Sequence, residues 1–428
     1  MPNLDRKLVK REIFGEVAAH LEKPEITLVT GSRQVGKTVL LFQLKDYLLK
    51  KGIGEELILF YNLDIISDWE LFQNQTEFIE FIKEKSEKER IYVFIDEAQK
   101  VPDAARFFKG VYDSNLNAKL ILSGSSSLEI KAKFKETLSG RKIIFHLPVF
   151  TFLEFLRCKD KNLAGLIEKK RNISIISQKH LSKFYQEYLI FGGYPRVVIA
   201  ESKEEKKKII NEIYSSYVEK DAVGFFEIKN KTAFNRLLKL LAGQIGQLIN
   251  VGELASNLGV DRETVERYIR ALEETFILKK ITPYFRNPRQ EIIKSDKIYF
   301  LDLGIRNLLL ENFNSLSLRS DKGGLLENAV LNEILFRTRN QFCQIHFWRT
   351  KQKAEVDFVI EKGDSLLPIE VKFALSMNKN TLGLKNFQKK FKPEESIIVS
   401  FLFSGQNSPA KTKGTNFIYP FDLYKLLD

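Results

Sequence analysis

Cysteine is almost missing from this 428-residue chain. Cys158 and Cys343 stand far apart in sequence, which excludes a disulfide framework and a zinc-ligand pattern built from them. Also missing is any run near the ~18 apolar residues of a membrane-crossing helix. The opening stretch "MPNLDRKLVKREIF" is charged and lacks the apolar core of a secretory leader. There is no internal repeat and no low-complexity linker. The densest charge run, Lys203 to Lys208, reads as a solvated helix face. These absences lead to the expectation of a soluble, cytoplasmic protein with no membrane partner.

What is present is a globular composition, 44% hydrophobic, long enough for two to four domains with a sizeable core. Lys+Arg of 68 against Asp+Glu of 55 gives a net charge of +13. That balance suits a polyanionic partner such as nucleic acid; it also suits a lysine-rich surface that serves only solubility.

The N-terminal third carries phosphate chemistry. "ITLVT", Ile26 to Thr30, is a short apolar run of buried-strand type. It leads into "GSRQVGKT", Gly31 to Thr38, and then into a helical pattern. Gly31 and Gly36 let the backbone curl so that its N–H groups face a phosphate, and the helix adds its positive N-terminus. The candidate nucleotide site is therefore Gly31, Ser32, Arg33, Gln34, Val35, Gly36, Lys37, Thr38 and Val39. Lys37 is placed to reach the β- and γ-phosphates of ATP, and Thr38 to hold Mg²⁺. "IYVFIDEAQK" is a second buried strand ending in Asp96-Glu97. Asp96 is expected to hold the Mg²⁺ and Glu97 to act as the base on the attacking water. Three further apolar runs, from Leu57, Lys119 and Lys142, alternate with helical stretches and imply a parallel sheet. Ser123 ends one of them, either as a γ-phosphate sensor or as a serine capping a turn. Arg141 reads either as an arginine finger for a neighbouring copy's nucleotide, which would imply a homo-oligomer, or as a surface arginine.

"GSRQVGKT", "FIDEAQK", "ILSGSSS", "LSGRK", "FTFLEFL" and "FGGYPRVV" follow one another in an order that resembles a large prokaryotic family. These are AAA-type ATPases with a C-terminal domain of unknown function, related to archaeal and signal-transducing STAND ATPases. The resemblance implies that Gly193-Tyr194-Pro195 belongs to a lid whose Pro195 contacts nucleotide, with Arg196 as a second sensor. From the residues alone, Gly-Gly-x-Pro is a turn signal.

From Thr151 to about Gly224 the apolar spacing is helical, which makes this segment the expected lid. Val251 to Asn257, a turn at Gly259 and a helix capped by Asp261 then look like a winged helix-turn-helix. The second helix carries Arg262, Arg267 and Arg270 among five acids, a poor balance for a phosphate-lined groove. The basic residues gather in the wing: Lys279, Lys280, Arg286, Arg289, Lys294 and Lys297, interleaved with Tyr284 and Phe285. The wing is read either as a DNA contact or, by the resemblance to STAND ATPases, as a structural part of a switch.

The last third poses a chemical problem. "EVDFVIEKGDSLLPIEVKF", Glu355 to Phe373, is two strand-like runs around a Gly363-Asp364 turn. Counting outward from a two-residue loop pairs Lys362 with Ser365 and sets Asp357 opposite Glu370. Like charges directly opposed destabilise a sheet and force one pKa upward. A cation between them resolves the conflict, and Lys372 shares their face. A helix from Gly323, a strand at Gln344, the hairpin and a helix from Thr381 resemble the PD-(D/E)xK nuclease core. That resemblance assigns Glu327, Asp357, Glu370 and Lys372 to a Mg²⁺-dependent site, with Gln388 accessory; the family's proline-aspartate stands here as Val356-Asp357. The expected fold class is α/β: a P-loop ATPase core with a parallel sheet (1–150), a helical lid (151–224), a winged helix-turn-helix (225–315) and a restriction-endonuclease-like domain (316–428). Two functions follow. One is an ATPase that cleaves nucleic acid, DNA favoured; the other is a nucleotide-controlled switch with an inert C-terminal domain.

Overall fold

The computed structural model describes residues 8–125, 138–169, 173–217, 228–286, 295–375, 380–403, 411–412 and 414–427. The chain forms two compact units. One comprises Met1–Phe150, Ile213–Ile228 and Glu274–Phe276; the other comprises Thr151–Glu212, Lys229–Glu273 and Ile277–Asp428.

The first unit is built on five parallel strands: β1 (Ile26–Gly31), β2 (Ile58–Asn62), β3 (Ile91–Asp96), β4 (Ala118–Ser125) and β5 (Lys142–His146). Their order is β2-β3-β4-β1-β5. All five are the runs read from sequence. β1 and β3 are buried along their whole length, which is why their sequences are continuously apolar rather than alternating. The helices Gln75–Lys85 and Ala104–Asp113 pack Phe78, Ile82, Phe107 and Phe108 into this core, each side chain contributing roughly 1.5–3 kcal/mol. β4 lies between β1 and β3, with Ser123 level with Val29 and Leu122 level with Ile95. This order sets Ser123 between the two phosphate-site motifs.

Near the strands' N-terminal ends, His20 is buried against Thr27, with which it shares a 2.7 Å hydrogen bond, and against the Lys119 ammonium at 3.4 Å. Burial, and then Lys119, lower the His20 pKa from 6.5 to about 4. The neutral imidazole is thus the folded form, and protonation favours unfolding. Stability of this unit is expected to fall as pH drops from about 6.5 to 4, by about 3 kcal/mol at most. His20→Gln should flatten that part of a urea-unfolding profile against pH; an unchanged profile would clear His20 of the effect.

The second unit begins with helices, Phe152–Lys159, Lys161–Glu168 and Ile175–Phe191, where a lid was expected. Gly192, at φ +75°, ends the third helix, and Pro195 takes the first position of a short helix, Pro195–Ile199. The turn is held by Asp302, whose carboxylate accepts from Gly193 N–H at 2.8 Å and from Ile305 N–H at 2.9 Å. Arg196 is half-exposed and pairs with Glu212. Next come the helices Val251–Leu258 and Arg262–Glu274, joined through Gly259 at φ +66°; Asp261 caps the second by accepting from Thr264 N–H at 2.7 Å.

The strands assigned to a wing are not a free-standing ribbon. β6 (Leu278–Pro283) and β7 (Lys297–Phe300) pair with each other, and β6 then runs parallel to β8 (Gln344–Arg349). They extend one sheet with the hairpin strands β9 (Glu355–Lys362) and β10 (Ser365–Leu375), followed by β11 (Ser396–Phe403), β12 (Lys411–Thr412) and β13 (Thr415–Ile418). The sheet order is β12-β13-β11-β10-β9-β8-β6-β7. The expected hairpin register holds from Lys362↔Ser365 to Phe358↔Ile369, one pair short of Asp357 and Glu370. The helix Lys322–Arg337 buries Leu326, Val330 and Ile334 as expected and packs against β10, where its Lys322 ammonium lies over the Phe373 ring at 5.1 Å. Both faces of β10 are therefore buried from Pro368 to Val371.

Candidate functional site

In the first unit the phosphate-loop residues come together at the C-terminal end of β1. The loop turns through Gln34 at φ +61° and Gly36 at φ +97°, backbone that favours glycine and is rare elsewhere. A side chain at Gly31 would meet the Leu147 carbonyl at 2.3 Å. Ser32 and Val35 are buried, Arg33 and Gln34 half-buried, and Val39 exposed. The Lys37 ammonium curls over the loop and donates to the Gly31 and Ser32 carbonyls at 3.1 and 3.2 Å. The Thr38 hydroxyl donates to Asp96 at 2.6 Å, and the Ser123 hydroxyl donates to the other oxygen of the same carboxylate. Glu97 N–H in turn donates to Ser123 at 3.3 Å. Glu97 sits at φ +56°, a strained position for a non-glycine residue, and its carboxylate accepts from the Gln99 amide at 2.5 Å. A hydroxyl and a carboxylate converging in this way are the donor set that Mg²⁺ takes when it keeps several waters, so Thr38 and Asp96 fit it.

Sequence reasoning missed Arg11. Its buried guanidinium donates to the Val35 carbonyl at 2.8 Å and the Pro148 carbonyl at 2.6 Å, fastening the phosphate loop to the segment after β5. No sequence pattern marks it. Arg141, by contrast, does not line this chain's own site. It precedes β5, whose Lys142 is level with Ile26 at the start of β1, so it lies at the edge of the sheet opposite Lys37. There it pairs with Asp113 through two nitrogens, at 2.6 and 3.3 Å.

In the second unit the sheet and the covering helix bring Glu327, Asp357, Glu370 and Lys372 into one charged cluster. Asp357 and Glu370 are buried, and Asp357 accepts from Val371 N–H at 2.7 Å. Lys372 pairs with one oxygen of Glu370 at 2.7 Å, while the other oxygen, Oε2, is buried with no hydrogen-bond partner. Burial, and then the Asp357 charge, push the Glu370 pKa up to about 7. Burial and Asp357 likewise carry Glu327 to about 7, against the opposing pull of Lys297. An orphaned carboxylate oxygen beside a second carboxylate fits a hard divalent cation, for which two carboxylates plus water suffice. Among the described residues no group of three or more His, Cys, Asp or Glu side chains is arranged to hold a metal ion.

Several expected roles change here. Lys297 is not wing surface: it is 1% exposed and pairs with Glu355 at 2.5 Å and Glu327 at 3.2 Å. Burial alone would depress its pKa, but Glu327, Asp357 and Glu355 outweigh burial and raise it. Of the other wing cations, Lys279 pairs with Glu273 and Lys280 with Asp296. Arg286 is exposed, and Arg289 and Lys294 lie outside the described residues. Tyr284 is packed in a core with Trp348 and Phe387. Gln388 belongs to a separate polar group with Asn380, Ser396 and Thr415.

Comparison with known proteins divides the chain into three matched segments. Residues 23–156 match the family described as "AAA domain". Residues 182–316 and 322–424 match two domains of unknown function, DUF8612 and DUF4143. An uncharacterized protein of Haemophilus influenzae is 27% identical over 400 residues, covering 90% of this chain and 93% of that one. One from Methanocaldococcus jannaschii is 25% identical over 405 residues, covering 92% and 84%. Among solved structures, a Walker-type ATPase of Pyrococcus abyssi aligns over 71% of this chain and 96% of its own at 13% identity, with a TM-score of 0.46. Residues 23–156 thus carry an AAA domain. No helix of the described residues is long and apolar enough to cross a membrane.

Proposed function

We propose that the chain binds and hydrolyses ATP in its first unit, and that the acidic hairpin of its second unit cleaves nucleic acid, DNA favoured, in a divalent-metal-dependent reaction. Lys37 neutralises phosphate charge once ATP draws its ammonium away from the loop carbonyls. Thr38 and Asp96 would hold Mg²⁺, which would supply further neutralisation of phosphate charge. Glu97 removes a proton from the attacking water, with Gln99 orienting its carboxylate. Ser123 would register the γ-phosphate, a reading supported by its bonds to both Asp96 and Glu97. Arg141 faces away from its own site, so any contact it makes with nucleotide is to that of a second copy, in a homo-oligomer.

The observation that carries the second half of the reading is the unpartnered Glu370 Oε2 beside Asp357. Asp357 and Glu370 would hold the metal, which supplies an activated water and stabilises charge on the scissile phosphate. Lys372, the more exposed cation of the cluster, orients the water or the phosphate. The rival reading is a nucleotide-controlled switch whose C-terminal domain is inert. The ion pairs that Lys297 and Lys372 already make within the cluster favour it.

The +13 charge supports a polyanionic partner, and its test is salt. Binding to duplex or branched DNA should weaken steeply with salt, because released counterions set the slope. Serine at Lys279, Lys280, Arg286 and Arg289 should flatten the slope by ~0.9 for each phosphate that is no longer neutralised. An unchanged slope would move the nucleic-acid surface away from this strand pair.

A further inference from the structure

Two lysines serve the acidic cluster, and they are not equivalent. Lys372 is 39% exposed on a flexible stem and can leave Glu370. Lys297 cannot leave. Its side chain is 1% exposed, its ammonium lies over the Phe347 ring at 5.3 Å, and it is shared between Glu355 and Glu327. Glu327 is fixed from two further directions. The Tyr299 hydroxyl donates to the same oxygen that Lys297 takes, and Gly246, at φ +70°, lies so close that a Cβ there would sit 3.1 Å from that oxygen. Glu355 is held by Arg349 at 3.1 Å as well.

We infer that Lys297 is a built-in counter-ion that claims the Glu327 side of the cluster, so that a divalent ion enters only between Asp357 and Glu370 and Glu327 is a positioning residue outside its ligand set. A dication on Glu327 would stand within one ion-pair length of an ammonium that has nowhere to go, and the two cations repel. On the other side the buried Glu370 Oε2 makes no hydrogen bond, and the lysine paired with the other oxygen is 39% exposed, with room to swing outward. Lys297 thereby restricts the site to one divalent ion, although three acids stand near one another. This inference rests on the metal reading of the hairpin given above.

The test is calorimetry with Mn²⁺ on the full chain without nucleotide. Wild type is expected to bind one Mn²⁺, with the heat lost in Asp357→Ala. Lys297→Met should bind Mn²⁺ about tenfold more tightly or take up a second ion, because Glu327 is released, while Lys297→Arg should match wild type. Should Lys297→Met fail to fold, Glu327→Gln decides: affinity within about twofold of wild type supports the inference, and a tenfold loss would make Glu327 a ligand and overturn it. Unchanged affinity in a folded Lys297→Met also overturns it and leaves the metal reading standing. An absence of Mn²⁺ heat in wild type removes the metal reading, and the inference with it.

Discussion

Glu97→Gln is expected to bind ATP normally and to hydrolyse it ~10²–10⁴-fold more slowly, the range that loss of a positioned general base produces. The substitution keeps the size of the side chain and its place beside the Gln99 amide, and it removes only the capacity to take a proton. The strained backbone at φ +56° should survive, since the side chain is not what imposes it. Lys37→Ala is the complementary case. It deletes the ammonium that the loop carbonyls hold ready, leaving the β- and γ-phosphates without their point charge. Leaving a buried charged partner unpaired costs about 2–5 kcal/mol, so nucleotide affinity should fall ~10²-fold or more. Trapped ATP in filter-binding of Glu97→Gln and no retained nucleotide in Lys37→Ala are the expected pair. Wild-type hydrolysis by Glu97→Gln would show that another group is the base.

Asp357→Ala should remove metal-dependent phosphodiester cleavage altogether, because it takes away half of the carboxylate pair that offers an unpartnered oxygen. Its effect on stability is a balance of two terms. Removing the charge relieves the Asp357 repulsion, which adds to burial in pushing Glu370 up to about 7. Yet Asp357 also accepts from the buried Val371 N–H, and an orphaned donor costs about 1–3 kcal/mol. A slight stabilisation, the expectation from opposed charges alone, is therefore not what Ala should give. Asp357→Asn separates the terms: it keeps an acceptor for Val371 and drops the charge. Cleavage should be lost in both variants, with Asn melting above Ala in a thermal scan. Cleavage surviving in either variant would remove Asp357 from the chemistry.

The first unit was legible because a parallel sheet buried on both faces writes its strands as unbroken apolar runs, and because β1 and β3 end directly in their motifs. The hairpin was legible because a two-residue loop fixes register by counting, and the count matched until β9 and β10 diverge at Asp357. The raised Glu370 pKa owes most to burial, which the count does not give, and only then to the nearby Asp357 charge, which it does. Lys297 was misread for a definite reason: its partners are 30 and 58 residues away, and nothing local distinguishes a lysine on an edge strand from one turned into a core. For the same reason the merging of β6 with β8 was invisible, since a parallel pairing of two residue pairs leaves no periodic signal. Arg11 bonds mainly to backbone carbonyls, which carry no sequence identity at all.

One measurement separates the two readings of the whole molecule: incubation of the full chain with linear, nicked, branched and single-stranded DNA, with Mg²⁺ or Mn²⁺ and with or without ATP, beside Asp357→Ala. Metal-dependent strand cleavage of at least one DNA form by wild type, absent in Asp357→Ala, is the expected result. ATP hydrolysis by wild type with every DNA form left intact under every metal and nucleotide condition would contradict it, and would leave a nucleotide-controlled switch in its place.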